Sequence, residues 1–188
     1  MPIDLAKLAT NAELVERLAF TFDFQIDISP REPAWFTVEG VSDLEPIGSE
    51  GAGGSFVRLP DARILYVSSE GEAGTIASDL DAFLQLIIAH PYWKDVLKFS
   101  GGGALAEMRR AADAIEAMTL EEEEDLAEAR DDIRSELKLP EPEDAVGALH
   151  QAVSSSKLVV RSPDGSACAG LFNRFTIDDN PMLRDFAE

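Results

Sequence analysis

Strand pairs joined by tight turns, then helices, then a further strand pair at the C-terminal end predict an α+β fold. Three observations predict it. Ser55 to Leu59 and Arg63 to Ser68 are apolar runs separated by Pro60-Asp61-Ala62, the pattern of a hairpin turn. Leu80, Phe83, Leu84, Leu86, Ile87 and Ile88 place a broad apolar face on one helix. From Ala104 to Leu137 the chain turns rich in Ala, Glu, Arg and Leu, a helical and acidic composition.

The elements follow in order. Leu5, Leu8, Ala12, Val15 and Leu18 recur at helical spacing behind Asp4, which is placed to cap one short amphipathic helix. Phe20, Phe22, Phe24, Ile26 and Ile28 then alternate with polar residues and predict a strand, which Pro30 and Pro33 break. Trp35 to Val38 reads as a further short strand. Gly48 to Gly54 holds four glycines in seven residues and reads as a loop before the hairpin. Gly71 and Gly74 continue as loop. Ser78 and Asp81 resemble a capping box for the apolar helix. Pro91 ends that helix and opens the next turn, Tyr92 to Lys98.

Ser100-Gly101-Gly102-Gly103 marks a joint. Beyond it, Leu105, Met108, Ala112, Ile115 and Met118 trace one face, continued by Leu126, Ala129, Ile133 and Leu137. That stripe fits one long helix, or two if Thr119 and Glu122 form a capping box. Pro140 and Pro142 close the segment, and Glu143 to Val153 reads as a short helix. In the tail, Lys157 to Arg161 and Ala167 to Phe172 read as strands around the Pro163-Asp164-Gly165 turn. Phe175 and Ile177 extend that pairing in the same reading, and Asp179-Asn180-Pro181 ends it.

The 188 residues suit one domain, or one domain with an appended piece, and 45% apolar content suffices for a core. There are 36 acidic against 16 basic residues, a net charge of −20. Such a field repels nucleic acid and anionic membranes and attracts cationic surfaces. Residues 101–150 carry half of it, with 15 acidic and 5 basic side chains. The single cysteine, Cys168, permits no internal disulfide, which fits a reducing, cytoplasmic compartment. Met1-Pro2-Ile3-Asp4-Leu5 has no basic region or long apolar run, so no secretory signal is expected, and no stretch nears the ~20 apolar residues of a membrane span.

The residues offer little for catalysis. The glycine-rich loop leads into a strand, lacks a Gly-Lys-Ser or Gly-Lys-Thr ending, and would set Glu50 beside a phosphate. Its glycines read instead as positions of positive φ or of close packing on the sheet. His90 and His150 share no ligand spacing, so no metal or other cofactor is expected. His90 caps the apolar helix or packs beneath Tyr92 and Trp93. Asp178-Asp179-Asn180 lacks the spacing of a calcium loop and reads as a solvated turn. Ser154-Ser155-Ser156 lies in a linker-like run without a nucleophile elbow. Trp35 and Trp93 read as core residues before interface anchors.

The order of these parts resembles the SUKH superfamily, which includes fungal cell-wall regulators and many bacterial immunity proteins. The resemblance rests on Ile47-Gly48 through Phe56, the Asp61-Ala62-Arg63-Ile64 hairpin, Ile76-Ala77-Ser78-Asp79-Leu80-Asp81-Ala82-Phe83-Leu84, and Pro91-Tyr92-Trp93. It covers the first hundred or so residues, typical of one small domain. Residues 1–103 would form the core of a single domain, 104–153 an acidic helical elaboration and 154–188 a C-terminal hairpin. The resemblance implies a mostly antiparallel central sheet with helices packed on it, and non-enzymatic binding of protein partners.

The expected function is therefore that of an immunity protein neutralising a basic, nuclease-like toxin domain. A nuclease site is basic because it grips phosphates, and an acidic protein can occupy it. Glu121, Glu122, Glu123, Glu124 and Asp125 are the expected steering groups, with Glu50 and Glu70 beside the hairpin as lesser partner-binding candidates. The alternative of another class is a regulatory or scaffold adaptor without a toxin partner. Gene neighbourhood separates the two. A third reading, an enzyme with a carboxylate site, would require paired carboxylates with shifted pKa values in a deep pocket.

Overall fold

The computed structural model describes residues 3–27 and 35–187. The predicted breaks at Pro30 and Pro33, the strand end at Ile28, and Met1-Pro2 lie outside them. The fold is α+β, with a five-stranded antiparallel sheet in the order β1 (Gln25–Ile26), β3 (Glu45–Ser49), β4 (Ser55–Arg58), β5 (Ile64–Val67), β6 (Ala73–Ala77) and a two-stranded sheet of β2 (Thr37–Val38) and β7 (Val160–Arg161). The chain divides into two compact units. The first takes the chain up to Phe83 together with Ser155–Gly170; the second takes Leu84–Ser154 and the residues from Leu171 on.

The first unit opens with α1 (Leu5–Leu8) and α2 (Ala12–Phe22). Asp4 caps α1, as the sequence predicts, by accepting from the Ala6 and Lys7 amides. The single predicted helix is two, because Asn11 caps a second start through the Leu14 amide. The predicted strand from Phe20 is corrected: α2 continues through Phe22, and only Gln25–Ile26 form β1. Leu14, Leu18 and Phe22 lie one turn apart and all are buried, a helical stripe that the phenylalanine alternation masks. Phe20 pays for that register with 84% exposure. Asp23, at φ 50°, ends the helix, and the Phe24 amide returns to the Leu18 carbonyl.

β2 (Thr37–Val38) lies within the predicted strand from Trp35, and β4 (Ser55–Arg58) and β5 (Ile64–Val67) are the predicted hairpin. β3 (Glu45–Ser49) and β6 (Ala73–Ala77) are strands where the sequence reads as loop. Gly48 explains the first: a Cβ there would lie 2.4 Å from the Gln25 carbonyl oxygen, so β1 and β3 pair only with glycine at that position. β5 is buried along its whole length because the sheet is covered on both faces. On one face Phe24, Phe56 and Phe83 meet with ring centroids 4.9–5.7 Å apart. On the other, Val57, Leu59, Leu65 and Val67 pack with Phe36, Val38 and Val160 of the small sheet, and Cys168 lies against this cluster. Burying each such side chain stabilises by about 1.5–3 kcal/mol.

The predicted tail hairpin is reduced. The turn closes through Ser162 and Ser166, but Arg161 and Ala167 form a single antiparallel bridge. β7 (Val160–Arg161) pairs with β2 instead, and Ala169 pairs with Glu72 in parallel. Residues Ala167, Ala169 and Gly170 are exposed and have no apolar face to bury, so nothing extends the ladder.

α3 (Leu80–Ala89) crosses from the first unit to the second after Phe83. Its cap is Asp79, which accepts from the Ala82 amide at 2.8 Å, rather than Ser78; Asp81 accepts from the Ile3 amide. The second unit continues with α4 (Trp93–Lys98), α5 (Leu105–Glu122), α6 (Leu126–Leu137) and α7 (Ala145–Ser155). The long stripe is thus two helices, broken after Glu122 rather than at a Thr119 cap. A 3-10 turn at Ile177–Asp179 stands where the sequence extends strand pairing, and α8 (Pro181–Arg184) follows the predicted end of that pairing.

The glycine joint ties this unit to its own tail. Gly101, Gly102 and Gly103 all have positive φ, at 58°, 80° and 94°. The Gly101 and Gly102 amides donate to the Phe175 and Asn173 carbonyls at 2.8 Å. Ser100 Oγ donates to the same Asn173 carbonyl. A run of L-residues could not hold three successive left-handed conformations without strain.

Candidate functional site

The acidic run lies at the end of α5 and in the connection to α6, with Glu121 to Asp125 all exposed. Glu70 is likewise exposed, on the turn before β6. Glu50 is placed differently from its predicted role. It is 5% exposed and its Oε1 accepts a hydrogen bond from Tyr66 at 2.7 Å. Its carboxylate belongs to the β3–β4 turn and is engaged there rather than exposed. Trp93 is core, as expected, whereas Trp35 is 39% exposed and donates its indole N–H to Ser55 Oγ at 3.2 Å.

Within the second unit, the end of α3, α5, α6 and the segment entering α7 surround an open cleft of about 500 Å³. Ala89, Ala112, Ala127 and Ala145 contribute small side chains to its walls, leaving the space. The charged lining is mixed. Arg109, Arg130 and Arg134 face Asp113, Glu116, Asp131, Glu141, Glu143 and Asp144.

Glu116 is the centre of a connected network. Arg130 Nη1 and Nη2 donate to its two carboxylate oxygens at 2.6 and 2.9 Å, and the Tyr92 hydroxyl donates to Oε2. His90 Nδ1 lies 3.1 Å from the Tyr92 oxygen. Since the one hydroxyl proton goes to Glu116, Tyr92 accepts from His90, which places the imidazole proton on Nδ1 and leaves Nε2 as an acceptor. Burial pushes the Glu116 carboxyl up, but the hydrogen bonds from Arg130 and Tyr92 together outweigh it and hold its pKa below the ordinary value. Burial and then the bond to Glu116 push the Tyr92 hydroxyl far up, so it stays protonated. Burial also lowers the His90 pKa, and the imidazole is neutral at pH 7. The four groups form an ion pair with two neutral relays. Glu116 has its lone pairs occupied and its basicity reduced, which makes it a poor proton acceptor for chemistry.

At the cleft rim, Arg109 Nη2 donates to Asp144 Oδ2 at 2.7 Å, while the Gly147 amide donates to Oδ1 at 2.8 Å and caps α7. Arg134 differs from its neighbours. Its closest carboxylates are Asp131 at 3.5 Å and Glu141 at 3.9 Å, beyond ordinary hydrogen-bond distance. His150, the second histidine, bonds the Gly103 carbonyl at 2.9 Å and takes no part in the cleft.

Sequence reasoning placed the acidic run and missed the cleft. One signal was available. Arg130 follows Leu126 by four residues and precedes Ile133 by three, so it occupies an inward position in the α6 stripe. A buried arginine requires an anion on a facing element. Nothing local identifies that anion as Glu116.

Among the described residues, no group of three or more His, Cys, Asp or Glu side chains could hold a metal ion, and no helix is long and apolar enough to cross a membrane. The turn at Asp178–Asn180 is used internally. Asp178 pairs with Arg110 at 3.1 Å, Asp179 closes a capping box with Thr176, and Asn180 caps α8. Comparison of the chain with protein-family models, with curated proteins and with solved structures finds no match.

Proposed function

We propose that this chain is a non-enzymatic protein-binding module of SUKH type, an immunity protein that covers the basic surface of a nuclease-like toxin. The observation that carries the reading is the exposed run Glu121 to Asp125 within a helical stretch, residues 101–150, holding 15 acidic and 5 basic side chains. Like charges concentrated on one connection give a directional field, which accelerates encounter with a cationic surface. The engagement of Glu116 by Arg130 and Tyr92 supports a structural rather than a catalytic part for that carboxylate.

The test is a pull-down from the native cell, with the intact chain and with a variant carrying Lys at 121–125, followed by mass spectrometry. A basic partner retained by the intact chain, released by salt and lost by the variant supports the reading. An acidic partner, or equal capture by the variant, overturns it. Turnover of a metabolite by purified protein would replace it with an enzymatic reading.

A further inference from the structure

We propose that the cleft of the second unit is a binding site for a small zwitterion of amino-acid or short-peptide class, its carboxylate received by Arg134 and its ammonium by Asp113 and Glu143. Arg130 and Arg134 lie one turn apart on α6 and both line the cleft. The terminal nitrogens of Arg130 are taken by Glu116. The Arg134 guanidinium makes only two long ion pairs among the described residues, both through Nη1, and its Nε is buried without a partner. Its side chain is only 17% exposed, and its nearest carboxylates, at 3.5 and 3.9 Å, belong to the well-exposed Asp131 and Glu141.

A guanidinium carries five donors in a rigid fork that matches a carboxylate. Holding such a group largely buried with only two long ion pairs, both at Nη1, leaves donors unfilled and calls for a closer acceptor. Nε is closed to solvent, so the acceptor reaches the terminal nitrogens, of which only Nη1 has carboxylates near it. A bare anion does not suit the surroundings. Six carboxylates line the cleft against three arginines, and a ligand of pure negative charge would be repelled. The exposed carboxylates of Asp113 and Glu143 line the same cleft without an ion-pair or hydrogen-bond partner among the described residues, and they supply the counterpart for an ammonium group. A volume of about 500 Å³ between alanine-bearing walls is ample for a dipeptide. This inference is independent of the partner reading, since neither Arg134 nor the cleft belongs to the 121–125 run.

The experiment is titration calorimetry on the full chain with dialanine, its N-acetyl form and its C-terminal amide, each up to ~10 mM. Dialanine is expected to bind, and each capped form to bind at least about tenfold more weakly. Arg134→Gln should lose about tenfold in dialanine affinity and leave the affinity for the amide unchanged. Absence of heat with dialanine overturns the proposal. So does an amide that binds as well as dialanine, which would be a cation site without Arg134, or an N-acetyl form that does, which would be a plain anion site. The ligand series needs no variant, so a poorly folded Arg134→Gln leaves the test intact, and Arg134→Lys serves as the milder second variant.

Discussion

Arg130 grips Glu116 with both terminal nitrogens, at 2.6 and 2.9 Å, across the α5–α6 pair. The two ends of this pair are unequally buried, with the arginine side chain 8% and the glutamate 31% exposed. Removing the glutamate charge therefore strands a cation with little access to water. Glu116→Gln is expected to destabilise the fold by about 2–4 kcal/mol, measured as the shift of a urea midpoint. Replacing both partners, Glu116→Leu with Arg130→Met, removes the stranded charge and should cost less than Glu116→Gln alone. A double variant worse than the single one would mean that the network is worth more than its desolvation cost.

His90 predicts a pH dependence with a definite sign. Burial lowers its folded pKa, opposed by the charges of Glu116 and Asp113 and reinforced by those of Arg130 and Arg134. The unfolded histidine, near 6.5, then binds protons before the folded one. Its stabilising contribution is complete above about pH 6.5 and is lost as pH falls through the folded value. Urea midpoints of the intact chain should fall between about pH 7 and pH 5.5, a window in which ordinary carboxylates remain ionised. His90→Gln should flatten that slope. Glu116, also lowered, adds a separate loss at more acidic pH, below the unfolded glutamate value of about 4.3.

The glycine joint separates two physical costs. Gly102 has φ +80° and open space around a hypothetical Cβ, whereas Gly103 has φ +94° and a Cβ there would lie 2.7 Å from the Phe172 ring. Gly102→Ala should cost about 1–2 kcal/mol, the strain of a left-handed backbone alone. Gly103→Ala should cost more, because the ring must also move, and it should loosen the tail that Gly101 and Gly102 tie down. Amide hydrogen exchange at Asn173 and nearby residues checks the second effect. Equal costs at the two positions would show that Phe172 repacks freely.

The sequence carried the class of the fold and several elements well, and the reasons for its failures are specific. The β4–β5 hairpin was legible because Pro60-Asp61 punctuates two apolar runs. β3 and β6 were not, since Gly48 reads as loop until the backbone it approaches is known and Gly74 reads as loop until its pairing with Tyr66 is known. Phe22 belongs at once to the Phe20-Phe22-Phe24 strand alternation and to the Leu14-Leu18-Phe22 helical stripe, and burial of that stripe decided for the helix. Of the partner-binding candidates, the exposed run at 121–125 was readable from composition alone. Glu50 was not, because its burial depends on Tyr66, sixteen residues away on another strand. The Glu116–Arg130 pair, fourteen residues apart on separate helices, has no local signature at all.

The charge itself predicts a response to salt. A net charge of −20 repels itself in the folded state more than in the expanded one, and five adjacent acids at 121–125 concentrate that repulsion. Raising salt from ~10 mM to ~0.5 M shortens the screening length from about 30 Å to a few ångströms and relieves it. The melting temperature should rise over that range. A variant with Gln at 121–125 should start higher at low salt and gain less, because part of the repulsion has already been removed. The ion pairs act in the opposite sense, since Arg109–Asp144 and Arg110–Asp178 are exposed and weaken with salt. Each exposed pair is worth about 0–1 kcal/mol, too little to offset a field of this size. A melting temperature that fell with added salt would show that the paired arginines, rather than the unpaired carboxylates, dominate the electrostatics of the fold.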